Sequence, residues 1–235
     1  MELDKNPERI EGLFDDITPT YDRLNHLMSM SIDRIWRGQA LDCLELKDGD
    51  MVLDIATGTG DMAIQALSRV DCTLVGIDLS RNMLQIAVEK WKREEPGSGF
   101  PAVQGDALSM PFKEAAFDKA MVAFGIRNVQ DVGAFLAEVN RVMKNGGRFA
   151  VLELSVPKCR VTRPLYLTYL TRILPLVGSM QSGDLAAYQY LSDSILSFPV
   201  PEELEKTMIS RGFRIVRSIS QTQGICHLYV LEKVG

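Results

Sequence analysis

The stretch 51–78 constrains the fold more than any other part of the 235-residue chain. It begins with a short apolar run at 51–55 and ends with a second one at 73–77, which closes on Asp78. Between them lie a turn of small residues and a segment, 63–70, with helical spacing. Strand, tight turn, helix and strand in this order are typical of a βαβ unit. The stretch therefore predicts an α/β fold with a parallel sheet.

The turn after the first strand is suited to hold a ligand. Gly58 and Gly60 can adopt backbone angles that a side chain forbids, and they let a ligand approach the main chain closely. Asp78 follows at the expected end of the second strand, where a carboxylate can accept both hydroxyls of a ribose. An ordinary βα turn without a ligand is the alternative.

Acidic residues in this turn narrow the ligand class. A dinucleotide site would have a third glycine and no acid where the pyrophosphate rests, but this chain has Asp61 there. Asp54 and Asp61 suit a ligand that carries positive charge. S-adenosylmethionine has a ribose, an amino group and a sulfonium but no phosphate, and we interpret the turn as a site for this methyl donor.

The remaining strands are predicted at 102–104, 117–124, 149–154, 213–220 and 225–231. The connection between the last two is so short that only an antiparallel pair can form. Ser80 and Asp131 are expected to begin helices, and Asn145-Gly146-Gly147 is expected to end the second of them. We expect a doubly wound, mostly parallel Rossmann-like sheet with an antiparallel terminal hairpin strand.

We divide the single predicted domain, 1–235, into four segments. They are a helical N-terminal extension (1–46), a cofactor-binding half (47–156), a helical insert (157–200) and a terminal helix with hairpin (201–235). The extension packs on the sheet or covers the ligand turn; its periodicity does not separate these alternatives.

Asp106 follows the third predicted strand, at the same sheet edge as Asp54 and Asp78. Doubly wound sheets bind ligands at this edge. A carboxylate here can accept a hydrogen bond from the exocyclic amine of adenine, and a solvated turn aspartate is the alternative.

Composition argues against several other classes of protein. A net charge of −5 and a pI near 5.2 disfavour nucleic acid as the main partner. Four scattered cysteines and two histidines disfavour a zinc site. The N-terminus is charged and has no apolar core, which leads us to expect a cytoplasmic protein.

Several motifs resemble known methyltransferases. VLDIATGTGD (52–61) and VGIDLSRNML (75–84) resemble class I methyltransferases in general. YDRLNHLMSMSIDRIW (21–36), AFGIRNVQD (123–131) and RVMKNGGRFAVLELSVP (141–157) resemble the ubiquinone/menaquinone biosynthesis C-methyltransferases. The chain departs from that family's pattern at Asp33, Asn145 and Ala123, where the family carries His, Pro and Ser.

The resemblance implies methyl transfer from S-adenosylmethionine to a ring carbon of a polyprenylated hydroquinone, without a metal. We expect demethylmenaquinol as the acceptor, and a benzoquinol precursor of ubiquinone is the alternative. Thr59, Asp78, Asp106 and Ala107 match the family's cofactor positions. Ala123 lacks a hydroxyl, so only its backbone can contact the cofactor.

Activation of the ring requires that a hydroxyl proton be moved away. Arg127, after the fourth strand, is expected at the reacting edge, where it could stabilise a phenolate or orient a water, because a guanidinium stays protonated. A structural salt bridge is its alternative role. Tyr21, Asp22, His26 and Asp33 are candidates for the general base or for lid contacts, with capping or packing as the alternative.

The insert contains a helical face formed by Tyr166, Leu170, Ile173, Leu174 and Val177. We expect residues 160–198 to form an apolar passage for the isoprenoid tail or to rest on a membrane surface. An ordinary core face or a homodimer face is the alternative. For the whole chain, two rival functions stay open: a methyltransferase for a small soluble acceptor, and a cofactor-binding subunit without turnover.

Overall fold

The computed structural model describes residues 4–18, 31–95, 99–176 and 185–235. Tyr21, Asp22 and His26, which we consider above as catalytic or lid residues, lie outside the described residues.

A single sheet forms the centre of the molecule. Its strands are β1 (Met51–Ile55), β2 (Thr73–Asp78), β3 (Ala102–Gln104), β4 (Phe117–Ala123), β5 (Met143–Leu154), β6 (Phe213–Gln221) and β7 (Cys226–Lys233). They lie in the order β3-β2-β1-β4-β5-β7-β6. The first five strands are parallel, and β7 pairs antiparallel with both β5 and β6. The predicted mostly parallel sheet with a terminal hairpin strand is confirmed.

Helices cover both faces of this sheet. They are α1 (Pro7–Ile17), α2 (Ile32–Leu44), α3 (Asp61–Leu67), α4 (Arg81–Glu94), α5 (Val132–Val142), α6 (Thr162–Thr168), α7 (Leu185–Ser197) and α8 (Pro201–Ser210). Apolar residues of α2, α3 and α4 pack on one face, and those of α5 and α8 pack on the other. Side chains alternate along each strand, so Leu53 and Ile55 join the α5 side while Val52 joins the α2 side.

Local sequence signals explain where several helices begin. The Ser80 hydroxyl accepts from the Met83 N–H at 3.1 Å, and the Asp131 carboxylate accepts from the Ala134 N–H at 2.9 Å. Both contacts satisfy a donor that the helix itself leaves open. The predicted helix starts at Ser80 and Asp131 are confirmed.

The end predicted for α5 is wrong. The helix ends at Val142, and β5 begins at Met143. Met143 pairs with Phe117 while Arg148 pairs with Lys119, so Asn145-Gly146-Gly147 forms a bulge within the sheet. Gly146 does adopt the expected left-handed conformation, with φ of 75°. Asn145-Gly146-Gly147 therefore does turn the chain, but it does so within the pairing of β4 with β5 and not at the end of the helix.

The insert is helical, but its predicted apolar face is only partly correct. Helix α6 continues into a π-helical turn, Tyr169–Ile173. Tyr166, Leu170 and Leu174 are buried, whereas Ile173 is 48% exposed. A π turn contains more residues than an α turn, so it rotates Ile173 away from the face that α-helical spacing predicts. Val177 lies outside the described residues. Nowhere in the described ranges is a helix both long and apolar enough to span a membrane.

Candidate active site

The carboxyl ends of β1 to β4 surround an open cavity of about 830 Å³, which we call the large cavity. The chain reverses its direction of winding between β1 and β4, and such a switch point is where doubly wound sheets bind ligands. Five of the residues predicted to bind the donor line it: Gly58, Asp78, Asp106, Ala107 and Ala123.

Asp78 is held by the backbone at the floor of the large cavity. Its two carboxylate oxygens accept from the N–H groups of Gly58 at 2.8 Å and Ser80 at 2.9 Å. Burial raises the pKa of Asp78, and these backbone N–H groups lower it in part. Asp106 is fixed in a similar way, since one of its oxygens accepts from the Leu108 N–H at 2.9 Å. Each carboxylate oxygen can accept a second hydrogen bond, so both acids can also serve a ligand.

The two glycines of the turn have different roles. A Cβ on Gly58 would meet no atom within 4 Å, so this position faces open space. A Cβ on Gly60 would lie 3.0 Å from Cβ of Ala87, so this glycine lets the turn pack against α4. Gly60 was predicted to bind the donor, but it lines neither the large cavity nor the two smaller ones described below.

A second cavity of about 330 Å³, the turn cavity, lies at the turn that follows β1. Asp54, Thr59 and Ala123 line it. The Asp54 carboxyl is buried, and the Thr57 hydroxyl donates to it at 2.6 Å. Burial raises the pKa of Asp54 to about 7, and the hydrogen bond from Thr57 opposes that shift. Asp54 can therefore give up or hold a proton near neutral pH, depending on the charge of a neighbouring ligand.

Asp61 also lines the turn cavity, but its charge is balanced within the protein. Its carboxylate lies 2.7 Å from Lys90 Nζ and 3.8 Å from Arg37 Nη1. The lysine also donates to the Thr59 hydroxyl at 3.1 Å. Two protein cations therefore already face Asp61, and its suitability for a positively charged ligand stays a prediction.

A third cavity of about 630 Å³, the insert cavity, lies between the sheet edge and the insert. Its lining is mostly apolar and aromatic and includes Trp36, Phe124, Tyr166, Leu170, Leu174 and Ile195. Asp33, Arg37 and Arg127 are the charged residues among the described residues of this lining. The structure thus brings two predicted catalytic residues, Asp33 and Arg127, to one apolar cavity.

Arg127 combines the two roles that the sequence left open. Its Nη1 lies 2.7 Å from Glu153 Oε1 and also donates to the Phe124 carbonyl oxygen. Glu153 is buried and accepts further from the N–H groups of Arg127 and Leu154. Arg127 therefore forms a buried ion pair and at the same time lines the insert cavity.

Phe124 is a site residue that the sequence analysis missed. It lines both the large cavity and the insert cavity, so this residue is part of the boundary between them. Its φ of 61° is unusual for a residue with a side chain, and Ala56 at the end of β1 has a φ of 52°. Strained backbone at the ends of two adjacent strands is typical of functional sites. The sequence analysis makes Phe124 the last residue of the fourth strand, and an aromatic residue at the ligand-binding end of a strand was the signal that could have found it.

The N-terminal extension covers the large cavity. Lys5, Ile10 and Phe14 line it, and the Asp15 carboxylate accepts from the Ser80 hydroxyl at 2.5 Å. Gln104 donates to Glu11 at 3.1 Å. The two alternatives for this segment therefore apply to different helices: α2 packs on the sheet, and α1 lies over the large cavity.

No group of three or more His, Cys, Asp or Glu residues in the described part of the chain is arranged to hold a metal ion.

Comparison with solved structures identifies the fold. The [4+2]-cyclase SpnF aligns with a TM-score of 0.71 at 16% identity, covering 98% of each chain. A SAM-dependent methyltransferase from Thermotoga maritima, described as a possible histamine N-methyltransferase, aligns with a TM-score of 0.67 at 20% identity, covering 95% of this chain and 99% of that one. The fold is therefore that of the class I methyltransferases, and at these identities the likeness concerns the fold alone.

Sequence relatives are much more similar over the whole chain. The ubiquinone/menaquinone biosynthesis C-methyltransferase UbiE of Geobacter sulfurreducens is 40% identical, over 98% of this chain and 91% of that protein. The demethylmenaquinone methyltransferase of Bacteroides fragilis is 37% identical, over 97% of this chain and 94% of that protein. The model of the ubiE/COQ5 methyltransferase family matches residues 2–233 of this chain. This chain belongs to the ubiE/COQ5 methyltransferase family.

Proposed function

We propose that this protein transfers a methyl group from S-adenosylmethionine to a ring carbon of demethylmenaquinol and so produces menaquinol. One observation carries the proposal: cavities suited to a methyl donor meet an apolar cavity suited to a prenylated ring at a shared boundary, Phe124. The names of the relatives from Geobacter sulfurreducens and Bacteroides fragilis agree with this reaction.

The residues around the large and turn cavities fit the donor chemically. Asp78 can accept the ribose hydroxyls, and Asp106 can accept from the adenine amine. Gly58 leaves open space where a ligand can approach the backbone. Asp54 supplies a negative charge when a positively charged ligand lowers its raised pKa. When bound, S-adenosylmethionine supplies a methyl group on a positively charged sulfur.

The insert cavity fits an aromatic acceptor with an isoprenoid tail. Trp36, Phe124 and Tyr166 provide flat apolar surfaces for a ring, and Leu170 and Leu174 provide an aliphatic surface for the tail. A small soluble acceptor would need more polar partners than the described residues of this lining offer. The apolar lining therefore favours the prenylated quinol over that rival.

The chain's own charged residues suit the activation of a phenol. Arg127 and Arg37 can stabilise negative charge that develops on the ring oxygen, because both stay protonated and both are buried. Asp33 is the carboxylate in the described lining of the insert cavity, and we assign it the role of proton acceptor. Burial raises the pKa of Tyr166 and of Tyr169, so neither phenol is suited to accept a proton near neutral pH.

The assay that tests this function compares reduced and oxidised acceptors. Purified protein with radiolabelled donor should methylate a short-chain demethylmenaquinol and should leave the oxidised quinone unchanged, since only the quinol can form a phenolate. Binding of the donor without methyl transfer to the quinol would favour the non-catalytic subunit. A matched assay with a benzoquinol precursor decides between the two acceptor classes.

We also propose that the insert rests on a membrane surface. Three apolar side chains of this segment, Val161, Leu165 and Leu176, are 63–70% exposed. No Asp or Glu occurs between Glu153 and Asp184, whereas this stretch carries four Lys or Arg residues in a chain of net charge −5. Exposed apolar and basic residues together suit an anionic lipid surface. Buried residues of the same segment line the insert cavity, so a lipid-soluble acceptor would enter beside the membrane.

Vesicle sedimentation tests the membrane proposal. The unmodified protein should sediment with phosphatidylglycerol vesicles more than with phosphatidylcholine vesicles, and Val161→Ser with Leu165→Ser should weaken that binding roughly 10-fold. Ile209→Ser is the control, because Ile209 is 59% exposed on α8 and lies outside the insert. Equal sedimentation of all three proteins would overturn the proposal.

A further inference from the structure

Arg37 lies where the site's cavities meet, although no motif of the sequence analysis includes it. It lines both the turn cavity and the insert cavity. Its guanidinium carbon lies 5.3 Å from the centroid of the Phe124 ring. At this distance the cation is attracted to the face of the ring. Arg37 thus contacts Phe124 and lines the turn cavity and the insert cavity at the same time.

Among the described residues, the ion pairs of Arg37 use one end of its guanidinium. Its Nη1 donates to Asp33 one helical turn earlier and lies 3.8 Å from Asp61. A guanidinium has five N–H donors in a rigid fork. In the described part of the chain, neither of these ion pairs involves Nη2 or Nε, so donors remain for a ligand in the turn cavity.

The turn cavity is where the amino-acid part of the donor would lie. It shares Ala56, Gly58 and Ala123 with the large cavity, which holds the acids suited to ribose and adenine. The amino-acid part of S-adenosylmethionine carries a carboxylate, and a carboxylate needs a cationic partner or several N–H donors when it leaves water. Arg37 is the cationic residue in the described lining of this cavity. Lys90 contacts Asp61 from behind the lining.

We infer that Arg37 binds the α-carboxylate of the methyl donor, and that its pair with Asp33 holds the guanidinium in position for this contact. This inference rests on the proposed function, since it concerns the same methyl donor. Arg37 becomes a donor-binding residue, and Asp33 becomes a positioning residue for it in addition to its role in the insert cavity. Donor binding and acceptor activation are therefore connected through one ion pair.

Binding calorimetry with two ligands tests the assignment without relying on turnover. The ligands are S-adenosylhomocysteine and its decarboxylated counterpart, which lacks only the carboxylate. Arg37→Gln should weaken binding of S-adenosylhomocysteine roughly 10- to 100-fold, and it should change binding of the decarboxylated ligand by less than about 2-fold. Arg34→Gln is the matched control, because Arg34 is an exposed arginine on the same helix.

Each outcome has a distinct meaning. Equal weakening of both ligands by Arg37→Gln, or no weakening of either, would overturn the inference. Failure of the unmodified protein to bind either ligand would instead refute the proposed function. Because Arg37→Gln leaves Asp33 buried without its cation, the double variant Asp33→Asn, Arg37→Gln serves as a folded alternative, and the same loss specific to the carboxylate is expected from it.

Discussion

The Arg127 guanidinium lies 2.7 Å from Glu153 Oε1, and the backbone N–H of the same arginine donates to Glu153 Oε2 at 3.1 Å. Both side chains are buried, and the arginine forms part of the insert cavity. This double attachment fixes the arginine at the place where the proposed function puts the negative charge of the acceptor ring. A preorganised cation in a water-poor cavity stabilises such charge more than a mobile one does.

Arg127→Gln should lower kcat on the order of 100-fold, and it should change the Kd for S-adenosylhomocysteine by less than about 2-fold. It should also lower the free energy of unfolding by about 3–5 kcal/mol, because Glu153 loses its buried cation. Turnover, calorimetry and urea unfolding measure these three effects.

The double variant Arg127→Gln, Glu153→Gln separates catalysis from stability. Removal of both charges should restore most of the free energy of unfolding, while kcat stays low. Recovery of turnover together with stability would mean that Arg127 is purely structural.

Asp78→Asn should weaken donor binding before it affects the chemical step. The amide loses the charge that strengthens the proposed ribose contacts, and the expected rise in Kd for S-adenosylhomocysteine is roughly 10- to 100-fold. At saturating donor, kcat should fall much less. Asp71→Asn is the control, since Asp71 lies just before the opposite end of β2. A loss of kcat with unchanged Kd would contradict the binding role.

Asp33→Asn should slow turnover on the order of 100-fold if Asp33 accepts the acceptor's proton. Asp33→His, which introduces the residue usual in the family, should restore part of the activity. Its rate should then rise with pH around the ordinary histidine pKa of about 6.5, because only the neutral imidazole accepts a proton. Equal activity of Asp33→Asn and the unmodified protein would remove Asp33 from the chemistry.

Tyr166→Phe should leave kcat within about 3-fold of the unmodified value. Burial raises the pKa of Tyr166, so its phenol stays protonated near neutral pH and cannot serve as the base. The pH profile of turnover should also stay unchanged. A loss of 100-fold or more with normal thermal stability would reassign the proton acceptor to this tyrosine.

Stability should depend on pH through Asp54. Burial raises the pKa of Asp54 from 3.8 to about 7, so between these values the folded protein binds a proton that the unfolded chain has released. The free energy of unfolding therefore falls as pH rises through this window, by about 1.4 kcal/mol per pH unit from this group, and levels off above pH 7. Urea unfolding of the ligand-free protein and of Asp54→Asn isolates the contribution. Parallel pH profiles for the two proteins would refute it.

Sequence patterns predicted most of the sheet because its strands are short, apolar and bounded by clear turns. Ala102–Gln104 is an example: Pro101 precedes it, Gly105 follows it, and the structure places β3 at these three residues. The sequence also placed Asp54, Asp78 and Asp106 at one edge of the sheet, because the carboxyl ends of parallel strands lie on the same side. Their roles in donor binding stay predictions.

The sequence predictions were wrong where pairing or packing with distant residues, and not the local pattern, determines the conformation. Gly146 adopts the predicted left-handed conformation, but the pairing of β4 with β5 decides that it forms a bulge. Ile173 follows α-helical spacing in the sequence, but a π turn changes its direction. Arg37 had a usable signal, because Asp33 and Arg37 are four residues apart on a helix, where an ion pair can form. Only the fold reveals that two cavities meet there.

The position of Phe124 has a consequence for the order of events in turnover. Residues of the N-terminal helix α1 line the large cavity, residues of α6 and α7 line the insert cavity, and Phe124 lines both. Under the proposed function, donor and acceptor would occupy separate cavities that share this residue. We therefore expect that the used donor and the methylated product can leave independently, and that the kinetic order of binding and release is random rather than compulsory.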